Sequence, residues 1–127
     1  MEEFFENELV TKFEEMIENS EELYFDTEEY EDIIIYYLEM GDISFAETAV
    51  RYALNLHPDS LEIKIKKFEV LLELENYTLA KELMDELKES SMESTDFLVC
   101  CAKYYSNLGN PRRAIEYCEA ALKLEEE

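Results

Sequence analysis

Ala46, Ala80 and Ala114 stand 34 residues apart, and that spacing constrains the fold more than any other feature of the chain. The same offset relates Gly41, Glu75 and Gly109, then Ala53, Leu87 and Ala121, then Tyr37, Leu71 and Tyr105. It also relates Ile34, Phe68 and Ala102, all apolar. A fixed period of this length, kept without insertion, marks a chain built by repeating one supersecondary unit. With only 2 Gly and 2 Pro in 127 residues, turn-rich β folds are disfavoured. Long Glu-rich amphipathic stretches favour helix over strand. The repeated unit is therefore predicted to be a pair of helices, and the fold all-α.

The punctuation within a unit has a physical reason at each place. In residues 27–60, Asp26 is predicted to N-cap a helix, with Glu29 completing a capping box. Tyr30, Ile33, Ile34 and Tyr37 crowd one helix face. Gly41 ends that helix because it enters the left-handed conformation cheaply. Ala46 and Ala53 on the next helix are small where the two helices approach closely. Pro58 stops the second helix and moves His57 out of helical geometry, and Asp59 is predicted to cap the following helix with Glu62 as its partner. In the third unit Gly109 stops a helix and Pro111 suits the first turn of another. The stretch KESSMESTD, residues 88–96, is the most loop-like of the chain and is predicted to be the most variable joint.

This pattern resembles the tetratricopeptide repeat, a 34-residue unit with an aromatic residue, Tyr, Ala, a second aromatic and Pro at set intervals. Residues 27–60 carry it as Tyr30, Ile33, Ile34, Tyr37, Ala46, Val50, Ala53 and Pro58. Residues 61–94 keep Phe68, Leu71, Ala80 and Met84 but place Lys64 and Lys67 at usually apolar positions, and Met92 at the closing proline. Residues 95–127 return to it with Leu98, Ala102, Tyr105, Gly109, Ala114, Cys118 and Ala121. The resemblance implies a right-handed α-solenoid of three helix hairpins, 27–60, 61–94 and 95–127, within a single domain spanning 1–127. Of the tyrosine pairs Tyr36–Tyr37 and Tyr104–Tyr105, the members on the repeat position, Tyr37 and Tyr105, are expected in the core.

Residues 1–26 lie outside the repeats. Phe5, Leu9, Phe13 and Ile17 recur every four residues, broadened by Phe4, Val10 and Met16, against a nearly all-acidic back. That is an amphipathic helix, expected to cap the array, with an exchange or dimerisation helix as the rival. The last unit ends in YCEAALKLEEE without a further amphipathic helix. The chain is thus expected either to be the N-terminal part of a longer array or to form a homodimer through an uncapped end.

Charge narrows the partners. The chain holds 33 acidic and 11 basic residues, a net charge of −22, and residues 1–50 alone carry −16. Such a surface repels phosphate backbones and anionic membranes, so neither nucleic acid nor membrane is expected. It either solvates the protein or attracts a cationic partner. Cys100, Cys101 and Cys118 lack metal-site spacing and are expected as reduced apolar side chains in a cytoplasmic protein. The N-terminus lacks the basic and apolar regions of a signal peptide. The only histidine, His57, sits before Pro58 and is expected as a turn residue; no catalytic set, metal or cofactor is expected.

The resemblance implies that the first helix of each unit lines a concave groove. Its outward positions are Glu28, Glu31, Ile35 and Leu38; Glu62, Ile65, Glu69 and Leu72; and Asp96, Val99, Lys103 and Ser106. A groove of carboxylates and aliphatics suits a basic or amphipathic protein segment. Glu31 and Ile35 stand where family members that clamp acidic chaperone tails place Lys and Asn, so that ligand is not expected. The chain is expected to be a non-enzymatic protein-interaction scaffold. The alternatives are a small acidic secretion-type chaperone and a structural oligomerisation module of a longer array.

Overall fold

The computed structural model describes the backbone of residues 2–127 and the side chains from Glu8 onward. Phe4 and Phe5, assigned above to an apolar stripe, lie outside the described side chains. The described residues form seven α-helices and no strand: α1 (Glu2–Glu18), α2 (Thr27–Glu39), α3 (Ile43–Leu56), α4 (Leu61–Glu73), α5 (Tyr77–Ser91), α6 (Thr95–Asn107) and α7 (Pro111–Glu126). The fold is all-α. It falls into two compact units, residues 1–66 and 67–127, with the boundary inside α4.

The 34-residue period reappears as backbone geometry. Gly41 and Gly109 have φ of 76° and Glu75 has φ of 57°, so all three take the left-handed conformation. The next residue then bonds back into the helix just finished: Asp42 N–H to Tyr37 O at 2.9 Å, Asn76 N–H to Leu71 O at 3.0 Å, Asn110 N–H to Tyr105 O at 2.8 Å. This closure satisfies carbonyls that the helix end leaves open. Asp42, Asn76 and Asn110 also cap the following helices, accepting from the backbone N–H groups of Phe45, Leu79 and Arg113. One residue of each turn thus closes one helix and opens the next.

The first helices are capped on the same period. Asp26 accepts from Glu29 N–H at 2.8 Å, and Glu29 returns the bond to Asp26 N–H at 3.0 Å, a complete capping box. Ser60 accepts from Ile63 N–H and Ser94 from Phe97 N–H, each at 3.2 Å. The cap of α4 is therefore Ser60, not Asp59. Pro58 and Asp59 lie in the turn that Ser60 N–H closes on His57 O, and the Ser60 hydroxyl also donates to Glu62. The stretch 88–96 is likewise corrected. Helix α5 runs through Ser91, which is buried, leaving only Met92–Ser94 between helices. Leu87 and Ser91 lie one turn apart on the covered face, which holds the segment helical against its serine content.

In the first unit α1 packs on α2, with Val10, Phe13 and Met16 buried. The Phe13 ring is fully buried among Phe25, Tyr30, Tyr37 and Tyr52, at centroid distances of 5.7–6.4 Å. Tyr37 donates its hydroxyl to Glu14 at 2.6 Å and stacks on Phe45 at 5.1 Å. Ala46, Ala49, Val50 and Ala53 of α3 are buried, as close helix packing requires. His57 does more than end a helix. Its Nε2 lies 2.8 Å from Phe25 O, and because a carbonyl only accepts, Nε2 carries the proton. The ring thereby ties the 19–26 connector to the end of α3.

In the second unit α6 packs on α7 and α5 on α6, with Phe68 beside Phe97 at 5.9 Å. Ala80, Met84, Leu87, Leu98, Ala102, Ala114 and Ala121 are buried, as the register predicts. Cys100 and Cys101 are buried and unoxidised, and burial, then the neighbouring Cys100, pushes the Cys101 thiol up to about 12. Two positions differ from expectation. Tyr104 is the buried member of its pair, against Tyr77, while Tyr105 is half-buried, stacked on Tyr117 at 5.6 Å with the Arg113 guanidinium over it at 5.2 Å. Cys118, placed with the core pattern by the register, is exposed.

Candidate functional site

Each predicted groove set forms one stripe along its helix, because spacings of 3, 4 and 3 residues return to the same face. On α2, Glu28 is exposed, and Glu31, Ile35 and Leu38 are half-buried. On α6, Asp96, Val99, Lys103 and Ser106 are all exposed. Helix α4 departs from expectation. Glu62 is exposed and Glu69 half-buried, but Ile65 is 6 % and Leu72 5 % exposed. The reason is that α4 is apolar nearly all round, with Ile63, Ile65, Phe68, Val70, Leu71 and Leu72 buried. A helix of that kind is covered on more than one side. Ile65 is core, and Leu72 can offer only the edge of a wall.

The second unit gathers two of these residues into one cleft. Leu72 and Lys103 line a concavity of about 400 Å³ together with Glu73, Glu75, Tyr77 and Asn107. The end of α4 supplies Glu73, the α4–α5 turn Glu75 and the start of α5 Tyr77, while the last turns of α6 supply Lys103 and Asn107. The lining holds two carboxylates, one ammonium, a carboxamide and a phenol ring. Exposed Leu74 falls between the two glutamates in sequence, and exposed Leu108 follows Asn107. Such a mixture has the chemistry to receive a cation: carboxylates can meet an ammonium or guanidinium, and a tyrosine face can take its alkyl stem or charge.

Glu75 is the unusual member. At the equivalent places of the other two turns the left-handed residue is glycine, which adopts that conformation freely. A glutamate there costs about 1–2 kcal/mol of backbone energy. Residues held in such conformations concentrate where their side chains have a task. The sequence carried this signal, because Glu75 breaks the Gly41–Gly109 equivalence. Outward helix positions do not include it, because Glu73, Glu75 and Tyr77 lie at and beside the turn.

Among the described residues no group of three or more His, Cys, Asp or Glu side chains is placed to hold a metal. His57 faces Phe25 O, Tyr24 and Tyr30. No helix among the described residues is long and apolar enough to cross a membrane. Comparisons with protein-family models, with curated proteins and with solved structures found no match.

Proposed function

We propose that the chain is a non-enzymatic protein-interaction module of the tetratricopeptide type, its three hairpins stacked as a right-handed α-solenoid behind α1. We propose further that it captures a protein segment bearing Lys or Arg beside aliphatic residues. The observation that carries the reading is Glu75: a carboxylate held at φ 57°, on the wall of a cleft that also contains Glu73 and Tyr77. The repeated turn and cap geometry supports the helical-repeat part. The net charge of −22 supports a cationic partner, since it raises the encounter rate of basic segments at low salt.

The test compares two places on the molecule. Binding of a fluorescent Arg–Leu peptide and of a Glu–Leu peptide of equal length is measured by anisotropy. The wild type, Glu73→Gln with Glu75→Gln, and Glu28→Gln with Glu31→Gln are compared at two salt concentrations. The first double variant is expected to weaken the basic peptide about tenfold, equivalent to ~1.4 kcal/mol. The charge-matched second variant is expected to change it little. Equal losses in both would show a diffuse electrostatic attraction with no site, and equal affinity for both peptides would remove the charge argument.

A further inference from the structure

Lys103 is the lining residue of the cleft that a purely basic segment leaves unused. Its ammonium repels the same Lys or Arg that Glu73 and Glu75 attract. It is not neutralised from within the cleft either. Among the described residues, the side chains of Glu73, Glu75, Lys103 and Asn107 form no ion pair or hydrogen bond, with one another or with the rest. The concavity of about 400 Å³ therefore presents two poles of opposite sign, each open to an occupant. Their order follows from the chain. Glu73 and Glu75 stand at the turn end of the cleft, flanked by the exposed Leu74 and Leu108. On α6, Asn107 is nearest the turn, and Lys103 lies one helical turn back on the same face, about 6 Å further along.

We propose that the cleft reads a charge pair and not a lone cation. Its occupant is an extended segment of a partner protein with an aliphatic residue, Lys or Arg, and Asp or Glu at alternate positions. The inference rests on this cleft being the docking site proposed above, and it assigns Lys103 the part that decides specificity. In an extended segment every second side chain points the same way, roughly 6.6 Å apart, which matches the step from Asn107 to Lys103. With the aliphatic residue against Leu74 and Leu108, the cation meets Glu73 and Glu75 and the acid meets Lys103. Asn107 then donates a further hydrogen bond to the acid from its carboxamide. Exchanging the ligand's two charges sets its acid against two carboxylates and its cation against the ammonium. The cleft thus selects the order of the charges as well as their signs.

Fluorescence anisotropy tests this with acetylated and amidated peptides, in which no terminal charge takes part. They share the core Leu-Ser-Arg-Ser-X within one neutral sequence, X being Asp, Asn or Lys. The protein's charge of −22 alone makes the Asp peptide bind worse than the Asn peptide. The charge pair requires the reverse, by about threefold, as befits an exposed ion pair. Lys103→Met is expected to abolish the gain, and Lys103→Glu to move the preference to the Lys peptide. Lys103 is exposed, so neither change empties a packed site, and circular dichroism checks that the helices persist. Moving Asp next to Arg turns it to the other side of the segment and should lose the gain. An Asp peptide no better than the Asn peptide overturns the proposal, as does a gain that survives Lys103→Met or the adjacent placement. Glu73→Gln with Glu75→Gln should weaken the Asp and Asn peptides alike. If it weakens neither, the cleft is not the docking site and both readings fall. If it weakens both while Asp adds nothing, only the charge pair falls.

Discussion

Hairpins α2–α3 and α6–α7 share one set of turn instructions and are finished differently. Each ends its first helix on a left-handed glycine, and each opens its second on a side-chain cap from Asp42 or Asn110. Tyr37 and Tyr105 hold the same place in both. Yet Tyr37 is 2 % exposed, roofed by Phe13 and bonded to Glu14 of α1. Tyr105 is half-buried, with Tyr104, Tyr117 and Arg113 of its own hairpin against it. Local structure follows from caps and turns, whereas the strength of packing follows from what covers the first helix. The first hairpin is expected to depend on a helix outside the repeat, and the last on its own side chains.

Truncating Phe13 is the strongest way to break that contrast. Phe13→Ala empties a fully buried ring site between four aromatic neighbours, and is expected to cost about 3–5 kcal/mol. Tyr117→Ala removes a partly exposed ring and is expected to cost about 1–2 kcal/mol. Urea unfolding gives both values, and amide exchange shows which unit opens. Equal losses would mean that α1 is no more important to its hairpin than one exposed stack is to the other.

Overpacking gives the next effect. Ala46 is 0 % and Ala114 9 % exposed, so a larger side chain has less room in the first hairpin. Ala46→Leu is expected to destabilise by about 1–3 kcal/mol, and Ala114→Leu by less. Unchanged thermal midpoints for both would show that these alanines do not mark close helix approach.

How much of this was legible follows from the range of each interaction. The period, the glycine stops and the Asp26 capping box depend on residues a few positions apart, and they read directly from the chain. Ser60 and Ser94 are equally legible, since each lies 34 residues beyond the previous cap, although Asp59 beside Ser60 is also a residue type that caps helices. The burial of Ile65 and Leu72 was not legible from an outward-position rule, because it depends on α4 being covered on more than one side. The exchange of roles between Tyr104 and Tyr105 has the same origin. Which tyrosine sinks is decided by neighbours on other helices. Of the candidate site, the helix-borne Leu72 and Lys103 were readable, while Glu73, Glu75 and Tyr77 needed the turn's path.

Alkali separates the units through their acidic groups. Burial, then Tyr52, pushes Tyr30 up to about 12; burial, then the Glu14 hydrogen bond, raises Tyr37 above its ordinary value. The Cys101 thiol rises from 9.0 to about 12. Each group keeps its proton longer when folded, so its contribution is complete below the unfolded pKa and is lost as pH climbs towards the folded one. The second unit therefore begins to weaken near pH 9, where the free thiol titrates, and the first near pH 10. Cys101 is expected to account for about 1–2 kcal/mol by pH 10.5, at ~1.4 kcal/mol per unit. Urea midpoints at pH 8, 9.5 and 10.5 check this, with Cys101→Ala expected to flatten the first part of the decline. A decline that begins only above pH 10 in both proteins would reverse the order of the units.

The smallest effect bears most directly on the cleft. A Cβ built on Gly109 meets nothing within 4 Å, so Gly109→Ala costs backbone conformation alone, about 1 kcal/mol. Glu75→Gly runs the same exchange backwards at φ 57°. It relieves the left-handed strain but adds freedom to the unfolded chain, for a net gain of about 0.5 kcal/mol. Glu75→Gln removes the charge and keeps the strain. If Glu75 is held in place for its carboxylate, both variants lose the Arg–Leu peptide and only the glycine variant gains stability. A glycine variant that is no more stable would show that the turn accommodates glutamate without strain, and the backbone would then give no reason to assign Glu75 a task.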